Sequence, residues 1–138
     1  MLDNIKEYLS QIYYLDKMID AKIKQSERFK ELALRVALVL TQDKVSGGAL
    51  NPDKTSNYIC TWIDLDKEIS EDIDRLIDLK KEIEAVINRV SNPRYKLLLT
   101  LRYINCMKWE EIAEEMNYSS LRWLHQLHKK ALYSTKKH

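Results

Sequence analysis

Residues 97–132 read LLLTLRYINCMKWEEIAEEMNYSSLRWLHQLHKKAL. In the wider segment 93–137, apolar residues fall at helical spacing in three short runs, about 93–104, 109–116 and 120–132. Polar breaks separate the runs. Only Asn117, Tyr118 and Ser119 stand between the second and the third. Two short helices joined by so tight a turn read as a helix-turn-helix. In that unit the second helix lies in the major groove of duplex DNA.

The spacing predicts which side chains face inward. Leu97, Leu98, Leu101 and Ile104 would form the buried face of the first run, and Trp109, Ile112, Ala113 and Met116 that of the second. At 100° per residue, Trp123, Leu124, Leu127 and Ala131 share an apolar arc on the third. The expected core of the unit is therefore Leu101, Trp109, Ile112, Ala113, Met116, Trp123 and Leu127. Arg122, His125, Gln126, Lys129 and Tyr133 fall together on the other side of the third helix. Arginine reads guanine bidentately and glutamine pairs with adenine. Lys129, Lys130, Lys136 and Lys137 suit phosphates, which carry no base identity. The plain alternative is an ordinary solvated basic face. His128 sits at the edge of the apolar arc and is expected to be packed and hydrogen-bonded. His125 and His128 lack an evident third ligand, so no metal centre is expected.

Local signals bound these helices. Asn92 and Pro93 read as cap and first residue of the first short helix. Asn117 stands where the turn needs a left-handed backbone, and Ser119 is the expected cap of the third helix. Glu110, Glu111, Glu114 and Glu115 surround the inward positions of the second run. They suit the amino end of a helix but make poor phosphate neighbours. Their face should point away from DNA or toward a protein.

Upstream, residues 2–41 read as one long helix. Leu2, Ile5, Leu9, Ile12, Ile19, Ile23, Leu32, Val36 and Leu40 recur mostly at steps of three, four or seven. A polar stretch, 24–30, marks a place for a bend or a looser contact. Gly47-Gly48 and Asn51-Pro52 punctuate a loop over 42–56. The glycine pair lacks the strand and spacing of a phosphate-cradling loop. Residues 57–90 read as a second long helix, striped by Trp62, Leu65, Ile69, Ile73, Leu76, Leu79, Ile83, Val86, Ile87 and Val90. Its carboxylates, including the pair Glu68 and Asp72, are expected on a solvated face. The fold class is all-α: a long antiparallel helical hairpin, residues 1–92, followed by a three-helix unit, residues 93–138. Neither long helix hides its stripe alone, and a homodimer through 1–92 would cover what the pairing leaves exposed.

Composition narrows the function. Glycine and proline number two each among 138 residues, against a turn-rich β protein. The net charge of +2 conceals an asymmetry. Residues 49–92 carry 6 basic and 10 acidic groups, whereas residues 93–138 carry 9 basic and 4 acidic. A basic end beside an acidic middle fits a module that binds polyanions. Cys60 and Cys106 form neither a disulfide framework nor a metal motif. No membrane span or secretion signal is expected, which points to the cytoplasm. No constellation of nucleophile, base or metal ligand stands out, so neither an enzyme nor a cofactor is expected.

The segment LRYINCMKWEEIAEEMNYSSLRWLHQLHKKAL resembles the C-terminal helix-turn-helix of region 4 of the primary bacterial sigma factors. The whole chain resembles a family of small phage and prophage proteins of Gram-positive bacteria. EYLSQIYYLDKMID, DIDRLIDLKKEIEAVI, NPRYKLLLTLRYI, WEEIAEEMNYS and LHKKAL carry that likeness. It is also similar, more loosely, to the ArpU and RinA late-gene regulators. The resemblance implies binding to double-stranded DNA and control of phage late transcription, with host RNA polymerase as a further partner. It implies that Ser120, Leu121, Arg122, His125, Gln126 and Lys129 face the groove, and that Trp123 and Leu127 face inward. Lys108 replaces the usual capping Ser or Thr, Asn117 the usual glycine, and Leu121 and Trp123 are larger than the residues usual there. A DNA-packaging or replication adaptor, or a polymerase-binding interaction module, are the competing readings.

Overall fold

A computed structural model describes residues 2–42 and 52–137. The chain is all-α. Its elements are α1 (Leu2–Gln42), α2 (Pro52–Asn88), α3 (Pro93–Leu99), a π segment (Thr100–Ile104), α4 (Trp109–Glu115), α5 (Leu121–Ser134) and a closing 3-10 turn (Thr135–Lys137). The expected turn signals Gly47-Gly48 and Asn51, and the side chain of Leu40, lie outside the described residues. Among the described residues no helix is long and apolar enough to cross a membrane.

The long helices follow a seven-residue rhythm. On α1, Ile12, Ile19, Ser26 and Ala33 are buried at steps of seven, with Tyr8, Leu15, Lys22, Phe29 and Val36 half-buried between them. On α2, Trp62, Ile69, Leu76 and Ile83 recur at the same step, interleaved with Leu65, Asp72 and Leu79. This is the spacing of helices that pair along a narrow seam. It corrects two expectations. Ile73 falls off the seam and is exposed, while Asp72, expected on a solvated face, is 3% exposed. α2 also begins at Pro52, five residues before the expected start, because proline is pre-organised for the first helical position.

The chain divides into two compact units. One comprises Lys17–Asp74. Here Lys22 Nζ lies 2.6 Å from Asp72 Oδ2 and 3.7 Å from Glu68 Oε2. The Ser26 hydroxyl donates to Asp66. The rings of Phe29 and Tyr58 lie 6.3 Å apart, and Lys30 Nζ sits 5.6 Å from the Trp62 ring centre. Partner numbers fall along α2 as they rise along α1, so the two helices run antiparallel in this unit. The polar stretch 24–30 continues as helix and meets α2 through Ser26, Phe29 and Lys30.

The other unit comprises Met1–Asp16 and Arg75–His138. Leu9 and Ile12 of α1 and Ile83 and Ile87 of α2 share one cluster with Leu98 and Leu99 of α3. Ile112 and Ala113 of α4, and Leu124, Leu127, Ala131 and Leu132 of α5, complete it. The Tyr8 hydroxyl donates to Glu82 Oε1 at 2.6 Å.

Local chemistry explains how the short helices start and stop. Asn92 caps α3 by accepting from the Arg94 amide at 2.9 Å, with Pro93 in the first turn. α3 widens into the π segment, where the Asn105 amide reaches Thr100 O at 3.0 Å. A π turn inserts extra backbone and rotates the residues beyond it. Within the π segment Leu101 and Tyr103 are buried; before it, on α3, Leu98 and Leu99 are buried while Leu97, expected inside, is 46% exposed. Lys108 begins α4 without a side-chain cap. α4 ends on a paired closure: the Asn117 amide donates to Glu114 O at 3.2 Å and the Tyr118 amide to Ala113 O at 2.8 Å. That closure needs a left-handed residue after the cap, and Asn117 supplies it at φ 60. Ser120, not Ser119, caps α5, accepting from the Arg122 amide at 3.2 Å.

Candidate nucleic-acid interface

The register of α5 sets the site. Leu124, Leu127, His128, Ala131 and Leu132 are buried, so the helix turns its apolar arc toward these positions. Trp123, expected in the core, lies at the rim of that arc and is 60% exposed. The physical reason is that His128 and Leu132 share the inward side and draw its centre away from Trp123. Arg122, His125, Gln126, Lys129, Lys130 and Tyr133 are exposed. Leu121 is partly exposed at the start of the helix. Ser120 spends its hydroxyl oxygen on the cap.

Behind this face lies a stack of rings and a cation. The Arg102 guanidinium sits 4.5 Å from the Trp109 ring centre and donates to Met107 O at 2.9 Å. Trp109 packs in steeply inclined, T-shaped contacts with His125 at 4.8 Å and His128 at 4.7 Å between ring centres. The Tyr103 hydroxyl and His128 Nε2 share a buried hydrogen bond of 2.6 Å. Burial pushes the Tyr103 phenol up to about 12. It pulls the His128 imidazole down to about 4, helped by the charges of Lys6 and Arg102 and by His125. Both groups are neutral near pH 7. The packed, hydrogen-bonded His128 expected from the spacing is what the structure contains. His125 differs from a free base-reading group, since one side of its ring rests on Trp109.

Two concavities flank α5. One, of about 500 Å³, runs between α5 and the first turns of α1, lined by Leu2, Asp3, Lys6, Arg122, His125, Gln126, His128, Lys129 and Leu132. The other, of about 420 Å³, has Asn92, Arg94, Tyr95 and Tyr118 on its far side and Trp123, Gln126, Leu127 and Lys130 on α5. Gln126 lines both and so stands on the ridge between them. Arg94 donates to the Tyr118 hydroxyl and lies over that ring at 5.8 Å. Among the described residues, Lys6, Arg94, Arg122, Lys129 and Lys130 make no ion pair and are exposed. Lys136 is exposed, with its ammonium 5.8 Å from the Tyr133 ring centre. The Lys137 side chain lies outside what is described. Leu101, Ile112, Ala113 and Leu127 are buried as expected, and Trp109 and Met116 pack half-buried against the same core.

A family described as "Protein of unknown function (DUF1492)" matches residues 36–134. The chain belongs to this family. No curated protein and no solved structure matches it.

Two contributors to the face carry no clear signal in the sequence. Lys6 is more than a hundred residues from α5, and no local pattern ties it there. Arg94 reads only as a basic group of the first short helix. Its position against Tyr118 depends on the turn closed by Asn117. The stack of Arg102 on Trp109 and two histidines has a partial signal, since positions 125 and 128 share a helical face.

Proposed function

We propose that the chain is a sequence-specific double-stranded DNA-binding transcription regulator. In this reading α1 and α2 form a helical hairpin, and α3 to α5 act as a helix-turn-helix of the sigma region 4 kind. α5 is the reading helix. The protein works in the cytoplasm as a homodimer through residues 1–92, in control of phage or prophage late genes. The observation that carries the reading is the exposed ridge of Arg122, Gln126 and Lys129. It begins on a capped helix end just after the Asn117 turn. A helix about 10–12 Å across fits a major groove about 12 Å wide, and residues near its amino end approach the base edges.

Selection of bound duplexes from a random pool should return a preferred site. Against that site and a scrambled duplex, Arg122→Ala and Gln126→Ala should each lower discrimination by about 1–3 kcal/mol, the worth of a bidentate base contact. Lys129→Ala should weaken both duplexes alike. Folded Arg122→Ala and Gln126→Ala proteins that discriminate as wild type does would overturn α5 as the reading helix.

A second reading is a module that docks on a protein such as host RNA polymerase. The observation favouring it is exposed Trp123, an aromatic anchor of the kind that dominates protein interfaces. Binding of polymerase by a chain that ignores duplex DNA would favour it. A packaging or replication adaptor would instead bind duplexes with an affinity set by its assembly state.

A further inference from the structure

The two concavities beside α5 resemble each other. Each is an open groove, about 500 Å³ and about 420 Å³. Each has α5 as one wall and a cation on the opposite wall, Lys6 on α1 in the first and Arg94 on α3 in the second. Each also receives a lysine from α5, Lys129 on one side and Lys130 on the other. Like charges gathered around a groove repel unless an anion lies between them. The first groove contains one carboxylate, Asp3, and makes no ion pair with it among the described residues.

We infer that the grooves are tracks for the two phosphate backbones that border a DNA major groove, with Lys6 and Arg94 as the outer phosphate contact of each track. The inference rests on the proposed reading of α5. It adds a part of the chain that the reading did not include, the first turns of α1. If the ridge at Gln126 enters the major groove, the strands on either side must pass to the left and right of α5. Those are the positions of the two grooves. Lys6 and Lys129 then face one backbone from opposite walls, and Arg94 and Lys130 face the other. A lysine serves here as a point charge, while an arginine can grip one phosphate through two N–H groups. The Tyr118 ring beneath Arg94 holds the guanidinium plane without neutralising it.

Phosphate contacts are blind to sequence, so a mixed-sequence 30-base-pair duplex is a sufficient probe. The full-length chain, Lys6→Gln, Lys6→Arg, Arg94→Gln, Arg94→Lys and a control, Lys81→Gln on the exposed face of α2, would be titrated with it at several salt concentrations. Each lost phosphate contact lowers the steepness of log affinity against log salt by about 0.9 per protomer. Lys6→Gln and Arg94→Gln should each show that drop and bind several-fold more weakly at low salt. Lys6→Arg and Arg94→Lys retain the charge and should keep the wild-type slope, as should Lys81→Gln. Circular dichroism confirms that each variant is folded. If wild type binds with a steep salt slope and Lys6→Gln and Arg94→Gln leave it unchanged, the tracks are wrong and α5 as a reading helix stands. If wild type does not bind the duplex, both the tracks and the DNA-binding reading fall.

Discussion

His128 lies beneath α5 with its Nε2 on the Tyr103 hydroxyl and its ring against Trp109. Protonating it would bury a cation near Lys6 and Arg102, which is why its imidazole is held at about 4. An unfolded chain takes up that proton near the ordinary value of about 6.5. The depressed group thus contributes stability that is fully present above about pH 6.5. It is lost as pH falls toward 4, since the unfolded state binds the proton first. The shift sets an upper bound of about 3 kcal/mol on that loss. Urea unfolding at pH 7 and pH 4.5 should show a larger drop for wild type than for His128→Gln. Equal drops would mean that the imidazole titrates as if exposed. At this scale sequence and structure agree in kind, because a histidine beside an apolar arc must find a partner. That the partner is Tyr103 depends on how the π segment turns residues 100–104, and no local pattern announces that segment.

The elements are legible where a short-range rule decides them. Asn92, Pro93 and Asn117 act through their own backbone neighbours, and each does what its residue type favours. The register of α5 is less legible. An apolar arc centred on Trp123 and Leu127 differs by about one position from an arc centred between Leu124 and His128. Hydrophobicity alone prefers the arc with the tryptophan. The structure takes the arc that buries Leu132 and His128 and leaves the indole outside. Stability should follow accordingly. Leu124, fully buried, should cost about 2–5 kcal/mol when cut to alanine. Trp123→Ala should cost under about 1 kcal/mol, as expected for an exposed site. Thermal or urea unfolding of the two variants checks this, and a Trp123→Ala loss as large as that of Leu124→Ala would return the indole to the core. In the long helices the seven-residue step is legible as a stripe, but its polar members are not. Asp72 and Ser26 occupy seam positions because Lys22 and Asp66 answer them across the helix pair. Such polar seam groups fix register at some expense of stability.

For the molecule as a whole, charge asymmetry follows from the order of residues along the chain and all-α character from composition, and the structure has the second. The proposed homodimer would cover apolar surface left outside the seam. In the unit Lys17–Asp74, Leu34, Leu38, Ile63 and Ile73 remain exposed. Leaving such surface in water costs about 25 cal/mol per Å². Light scattering on the full-length chain at tens of micromolar should give twice the chain mass, and Leu38→Asp or Ile63→Asp should shift it toward the monomer. A monomer for wild type at that concentration would remove the dimer from the proposed function. The full chain is the right sample, because residues 1–92 alone would strip the cover from Leu9, Ile12, Ile83 and Ile87.

That shared cluster has a consequence for anyone who would move the basic helices to another protein. A cassette cut at Pro93 would carry Leu98, Leu99, Ile112 and Leu124 away from the α1 and α2 side chains that complete their cluster. The portable piece is discontinuous in sequence. It is the two ends of the chain, up to Asp16 and from Arg75 onward, joined by a short flexible linker in place of the intervening helices. Lengthening or shortening both long helices between those points by whole seven-residue steps should leave the ridge on α5 as it is.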